Sequence, residues 1–211
     1  SHVIDNTTTQ VNLLDSVGNP TETNVSLSFY DNFTDVVKYN YLHTMNNMGN
    51  PDTMIIDPVL KYNVVAHTIP PVTSNLVTII PGTHTIIPIK TPQGNLEIKI
   101  KSKINYSFLV RKSGEYQTLN VQEINTTQKY LTGYYDIELL TIPRIKFDSV
   151  RINQSSTTTY TLPPPGLANI ILPSNGYGGV YLKNDDKIEE IYSFKGDKSQ
   201  YRLTLLPGKY L

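Results

Sequence analysis

The feature that most constrains this chain is that it repeats. The run Tyr62-Asn63-Val64-Val65-Ala66-His67-Thr68-Ile69-Pro70 returns 73 residues later as Tyr135-Asp136-Ile137-Glu138-Leu139-Leu140-Thr141-Ile142-Pro143. The Pro92-Gln93-Gly94 turn returns 72 residues later as Pro164-Pro165-Gly166. The approach to the tyrosine recurs as Leu60-Lys61-Tyr62, Gly133-Tyr134-Tyr135 and Gly208-Lys209-Tyr210. Self-similarity at a near-fixed period means one structural unit used several times, and a unit of roughly 70 residues is too long for a solenoid turn. It suits a small β-sandwich.

The local pattern agrees. β-branched and tyrosine-rich segments of four to nine residues alternate with Asn, Gly, Pro and Ser turns, the mark of an all-β chain. In Tyr135-Asp136-Ile137-Glu138-Leu139 the alternation predicts Tyr135, Ile137 and Leu139 inward and both acids outward. The same frame puts Tyr62, Val64 and Ala66 inward and Asn63 and His67 outward. Leu76 to Ile80 and Thr85 to Ile89 read as a hairpin-like pair around Pro81-Gly82. Glu97 to Ile104 reads as one strand with a wet face of Lys99, Lys101 and Lys103. We therefore expect tandem prealbumin- or Ig-like β-sandwiches at 1–91, 92–163 and 164–211, joined by short, stiff, proline-containing links. By the period, the third unit is incomplete, because Tyr210-Leu211 falls in its penultimate strand. The expected remedy is either a continuation of roughly 20–30 residues or a partner strand added by β-augmentation.

Composition narrows the function classes. Eighteen basic residues balance eighteen acidic ones, so there is no electrostatic footprint for nucleic acid. With no cysteine, disulfides, thiolate catalysis and cysteine-ligated zinc are excluded. The apolar runs are far short of the ~20 residues a spanning helix needs. No charged region followed by an apolar stretch marks a signal peptide at Ser1-His2-Val3, and the chain reads as part of something longer.

No nucleophile elbow, phosphate loop, His-Glu-x-x-His or dinucleotide fingerprint occurs. His2, His43, His67 and His84 lack metal-ligand spacing and read as surface residues. Asp185-Asp186 and Glu189-Glu190 are the densest acids. Paired carboxylates can serve glycoside hydrolysis, yet here they flank an apparent hairpin turn, where solvated acids are ordinary. Calcium at Asn184-Asp185-Asp186 lacks the EF-hand spacing. Tyr62, Tyr135 and Tyr210 read as structural, their hydroxyls reaching a backbone partner. Tyr177 and Tyr181, beside Gly176-Tyr177-Gly178-Gly179, are the candidates for glycan contact. We expect no enzyme, no metal and no cofactor.

Val11-Asn12-Leu13-Leu14-Asp15-Ser16-Val17-Gly18-Asn19-Pro20, the Thr44 to Thr53 turn with Gly49, and the strand opening at Tyr62 resemble the carboxypeptidase-regulatory-like (prealbumin-like) domains. Pro207-Gly208-Lys209-Tyr210 resembles the Pro-Gly-x-Tyr of that group, which Pro58-Val59-Leu60-Lys61-Tyr62 and Thr132-Gly133-Tyr134-Tyr135 keep only in degenerate form. Most of the chain is similar to the C-terminal region of Bacteroidota proteins carrying a von Willebrand factor A domain upstream, as Leu119 to Gln122, Asn125 to Leu131 and Asn175 to Gly178 indicate. That resemblance implies an exported protein of the periplasm, outer membrane or cell surface. The three-fold repeat, the stiff proline joints and the lack of any convergent polar constellation point to a non-catalytic stalk or protein-interaction scaffold with protein partners, and Tyr177 and Tyr181 to the alternative, a carbohydrate-binding module attached to an enzyme or transporter. The Bacteroidota resemblance also implies O-glycosylation at Asp-Ser/Thr motifs, here at Ser16, Thr53 and Ser149.

Overall fold

The computed structural model describes residues 6–211, and among them every regular element is a β-strand. The first eight are β1 (Thr8–Leu14), β2 (Val25–Asp31), β3 (Val37–His43), β4 (Thr53–Met54), β5 (Lys61–Ala66), β6 (Val72–Thr73), β7 (Val77–Thr78) and β8 (His84–Lys90). They form one sheet in the order β4-β1-β8 and a second in the order β3-β2-β5-β6, with β7 also on β5. Inward positions alternate along β1 and β5 and place Val11, Leu13, Tyr62, Val64 and Ala66 in one core with Phe29, Ile56 and Ile87. Phe29 packs edge-on against Tyr39, Tyr41 and Tyr62 at centroid distances of 5.9–6.4 Å, the geometry that ring quadrupoles favour.

The expected hairpin at Pro81-Gly82 does not form. β7 stays in the Tyr62 sheet while β8 crosses to the other and pairs parallel with β1 over seven rungs, Thr8↔His84 to Leu14↔Lys90. The crossing lets Ile87 and Ile89 face the core from the opposite layer.

The next seven strands are β9 (Gln93–Ile100), β10 (Ser107–Lys112), β11 (Thr118–Glu123), β12 (Thr127–Leu131), β13 (Gly133–Leu139), β14 (Ile145–Ile152) and β15 (Thr157–Leu162). Their sheets run β12-β9-β15 and β11-β10-β13-β14, the order of the first set over again. β9 ends at Ile100, so Lys101 and Lys103 lie beyond the strand and Ile104 is exposed. Gly94 is a strand residue, not a turn. The last four strands are β16 (Gly166–Ile171), β17 (Tyr177–Asn184), β18 (Lys187–Lys195) and β19 (Gln200–Leu205), paired β16-β19 and β17-β18.

The repetition extends to register. In β2 a bulge falls between Phe29 and Tyr30, and the next residue, Asp31, lies opposite Tyr62. In β10 the bulge falls between Val110 and Arg111, and Lys112 lies opposite Tyr135. In β17 it falls between Val180 and Tyr181, and Leu182 lies opposite Tyr210. A bulge bends its strand and re-aims the residues beyond it, so its recurrence one residue before the tyrosine's partner fixes the same curvature three times. Tyr62 and Tyr135 are both buried. The Tyr62 hydroxyl donates to Asp57 O at 2.8 Å and that of Tyr210 to Leu206 O, the backbone-reaching role expected of them. Both Ile-Pro bonds of the repeat, Ile69-Pro70 and Ile142-Pro143, are cis, and Thr68 and Thr141 each donate to the carbonyl of the following proline at 2.6 and 2.7 Å.

By compactness the chain divides into two units, one of residues up to 95 with 129–133 and 152–157, the other of residues 96–128, 134–151 and 158–211. In the first unit, Gln93 donates from its N–H and side chain to the buried carboxylate of Glu22, Ser16 N–H donates to Gln154 Oε1, and Thr132 N–H donates to Pro92 O. Gly94 lies so near Asn153 that a Cβ there would fall 1.9 Å from the Asn153 carbonyl oxygen. In the second unit, Leu206 N–H donates to Ile142 O at 2.9 Å, and Ile142 packs on the core of Val180, Phe194, Tyr201, Leu203 and Leu205.

Candidate functional site

The densest polar constellation lies on the outer face of β13. Alternation turns Asp136 and Glu138 away from the core, as the sequence predicts, but Glu138 is not in water. It is only 9 % exposed. Register places Arg111 of β10 opposite Asp136 and diagonal to Glu138, within reach for a long side chain. Arg111 and Arg144 close on the Glu138 carboxylate from two sides, at 3.0 and 2.9 Å. Alternation alone could not show this, because it gives a strand face without showing what covers that face.

Both acids have settled chemistry. The hydrogen bonds from Arg144 and then Arg111 hold the Glu138 carboxyl below its ordinary value against the opposing effect of burial. Asp136 is lowered first by the Ser149 N–H at 2.8 Å and then by the Gly114 N–H at 3.0 Å, with Ser113 Oγ as a further donor. Asp136 thereby pins the β10–β11 turn, where Gly114 has φ +79°, to Ser149 in β14. A carboxylate whose pKa is lowered by such donors is a weaker proton acceptor near neutral pH. The adjoining cleft of about 450 Å³ is lined by Arg111, Lys146, Glu115 and Asp148, with Tyr116 exposed at its rim. It offers mixed charge and one aromatic ring.

The same use of acids recurs in the first sandwich. Burial raises the Asp15 carboxyl, but the N–H groups of Asn19 and Val17 and the Thr21 hydroxyl outweigh it and lower it overall. Asp31 is lowered first by the Phe33 N–H and then by the Thr34 hydroxyl. Each carboxylate is a turn clamp of the Asx type.

The structure does not bring the sequence candidates together. Ser16 in the turn after β1, Thr53 in β4 and Ser149 in β14 are each exposed. Asp185, Asp186, Glu189 and Glu190 are exposed around the β17–β18 turn, where Glu190 accepts from Ser193 and from Tyr181 at 3.4 Å. Tyr177 is 89 % exposed, but Tyr181 is half-buried and gives it no second open ring. Among the histidines, His2 lies outside the described residues, and His67 and His84 are exposed and bonded to Ser28 and Thr8. His43 is buried, contrary to the surface reading, with Nε2 3.0 Å from Val11 O and Nδ1 3.3 Å from the Thr23 hydroxyl. Its position at the end of β3 turns it under the sheet, and burial lowers its pKa. Among the described residues no three ligating side chains could hold a metal ion, and no helix is long and apolar enough to cross a membrane.

No protein-family model and no curated protein matches the chain. Solved structures similar to it include a leucine-rich repeat protein of Bacteroides thetaiotaomicron, at 14 % identity and TM-score 0.27 over 74 % of this chain and 26 % of that one. The TIE protein of Bacillus anthracis is similar at 10 % identity and TM-score 0.29, over 97 % of this chain and 44 % of that one. A streptococcal ancillary pilin gives 10 % and 0.29, over 98 % and 88 %. The chain therefore spans less than half the length of the first two.

Proposed function

We propose that this chain is a non-catalytic array of β-sandwiches that serves as a stalk or protein-interaction scaffold within a larger exported, envelope-associated protein. One observation carries the reading. The first strand of the first sandwich, β1, and its last, β8, lie side by side and parallel over seven rungs. Tension entering at the start of β1 and leaving at the end of β8 pulls these strands in opposite senses along their length. All rungs are then loaded together in shear instead of opening one at a time. In the second sandwich β9 and β15 are likewise neighbours. The hydrogen-bonded carboxylates Asp15, Asp31 and Asp136 add to this, since they stiffen the turns they clamp.

Single-molecule pulling of the chain tests it. The first two sandwiches are expected to unfold in discrete high-force steps, each releasing roughly 25 nm at about 3.4 Å per residue. Smooth extension at low force would rule out a load-bearing role. Turnover of a glycan or peptide substrate that Glu138→Gln abolishes would rule out the non-catalytic one. Fractionation of the native cells should place the protein in the periplasm, the outer membrane or at the cell surface, as export requires.

A further inference from the structure

The chain holds a single Asp-Pro bond, Asp57-Pro58, in the segment between β4 and β5. The Tyr62 hydroxyl, wholly removed from water, donates to Asp57 O, the carbonyl oxygen of that bond, at 2.8 Å. Burial first, and then the neighbouring Tyr39 and Asp57, raise the pKa of this hydroxyl, so it stays a donor. Asp57 Oδ1 accepts from Val59 N–H at 2.9 Å, an Asx turn that closes the carboxylate over the Asp57-Pro58 peptide. Asp57 N–H donates to the Tyr39 hydroxyl at 3.2 Å. Ile56 is buried, while the side chain of Asp57 is open to water.

The hydroxyl contact recurs where no acid stands beside it. Tyr210 donates to Leu206 O, the carbonyl oxygen of Leu206-Pro207, so a tyrosine reaching back to the carbonyl before a proline belongs to the repeat as structure. Particular to the first sandwich is the carboxylate at position 57. A side-chain carboxylate can act as a nucleophile, and that of an aspartate reaches its own peptide carbonyl through a small cyclic anhydride. A proline nitrogen is part of a tertiary amide and leaves as a secondary amine once protonated. A donor already aimed at the oxygen where negative charge develops lowers the barrier to such an attack.

We propose that the first sandwich cleaves its own chain at Asp57-Pro58 in mild acid. A carboxylate oxygen of Asp57 attacks the Asp57 carbonyl carbon, whose oxygen gathers negative charge against the Tyr62 hydroxyl. The carbonyl re-forms as the C–N bond breaks, and its electron pair stays on the Pro58 nitrogen, which takes a proton from the medium. One water then opens the anhydride, leaving two carboxyl groups on Asp57 and a free secondary amine on Pro58. Acid is needed because the nitrogen leaves only when protonated. The titratable groups that face Asp57 are Tyr39 of β3 and Tyr62 of β5, with Asp31 at the end of β2 acting on Tyr62. The cut leaves β1 to β4 on one fragment and β5 to β8 on the other, still paired through β2–β5 and the parallel β1–β8. The inference goes beyond the scaffold reading and does not rest on it, since the chain turns over no substrate but itself.

The test incubates the full chain in mildly acidic buffer, native and unfolded in urea, with circular dichroism reporting the fold and intact mass the products. Expected are two fragments, one ending at Asp57 and one beginning at Pro58, formed at least about tenfold faster by the native chain than by the unfolded one. Asp57→Asn keeps the acceptor for Val59 N–H and should abolish both fragments. Tyr62→Phe, shown folded by the same spectrum, should slow the native reaction toward the unfolded rate and leave the unfolded rate unchanged. A native chain that stays whole overturns the proposal. So does equal cleavage of native and unfolded chains, which is the ordinary lability of an Asp-Pro bond, or an unchanged native rate in Tyr62→Phe. Cleavage at Leu206-Pro207 also overturns it, because no carboxylate serves that bond. The force response is read on the uncut chain, so the two readings fail separately.

Discussion

In the first sandwich β1 lies between two neighbours, and its inward residues Val11 and Leu13 are wholly removed from water. In the third, β16 has one neighbour and its inward residues keep part of their surface wet. The two strands hold the same position in different copies of the repeat, and the tyrosine opposite each bulged strand sits in the same register. The difference teaches that register and closure are separate achievements. Register follows from local alternation and the bulge. Closure needs strands that return from far along the chain, as β8 does from 76 residues beyond β1, and the apolar burial that stabilises a sandwich arrives largely with them.

The largest effect should come from the core itself. Ile98→Ala is expected to cost about 4 kcal/mol in urea unfolding, as a fully buried isoleucine does. The half-buried Ile170→Ala should cost about 1–2 kcal/mol, because less transfer free energy is lost and water can reach the gap. Equal costs would break the comparison. Next in size is the glycine pair. Gly94→Ala forces a methyl group into the Asn153 carbonyl and should cost about 3 kcal/mol, while Gly166→Ala should fall within about 0.5 kcal/mol, read from the shift in denaturation midpoint.

A third pair is read from pH. Glu138 is depressed from its ordinary 4.5 by its two arginines, so its contribution is complete above pH 4.5 and is lost as pH falls through the depressed value. His43 is depressed from its ordinary 6.5 by burial, so below 6.5 the unfolded chain takes up a proton that the folded one refuses. The first sandwich should therefore begin to lose stability on acidification near pH 6.5, and the second below 4.5. Resolved melting curves across the acid range check the order, with His43→Gln flattening the early slope and Glu138→Gln, at a cost of about 1–2 kcal/mol, the late one. Reversal of the two limbs would show that other groups govern them.

The smallest difference is expected at the tyrosines. Tyr62→Phe leaves the Asp57 carbonyl without its buried donor and should cost about 1.5 kcal/mol, and the half-buried Tyr210→Phe about 0.5 kcal/mol. Hydrogen exchange of the neighbouring amides would sharpen this further.

Much of this architecture was legible in the residues. The recurrence at Tyr62, Tyr135 and Tyr210, the inward frame of β5 and β13, and the all-β class all come from period-two alternation and turn residues, which act over a few positions. Local patterns misled wherever a distant segment decided the outcome. They made a hairpin of Leu76 to Ile89, although Ile87 and Ile89 complete the opposite sheet. They left Glu138 in solvent, although two arginines from other elements close over it, and they left His43 on the surface, although the end of β3 turns it toward Val11. The sequence by itself determined which residues alternate and which tyrosines recur, because these depend on backbone sterics and neighbouring side chains. Only the tertiary structure decided which strands became central and which carboxylates gained arginine or backbone donors. Those outcomes depend on contacts between residues tens of positions apart, whose pairing no local pattern encodes.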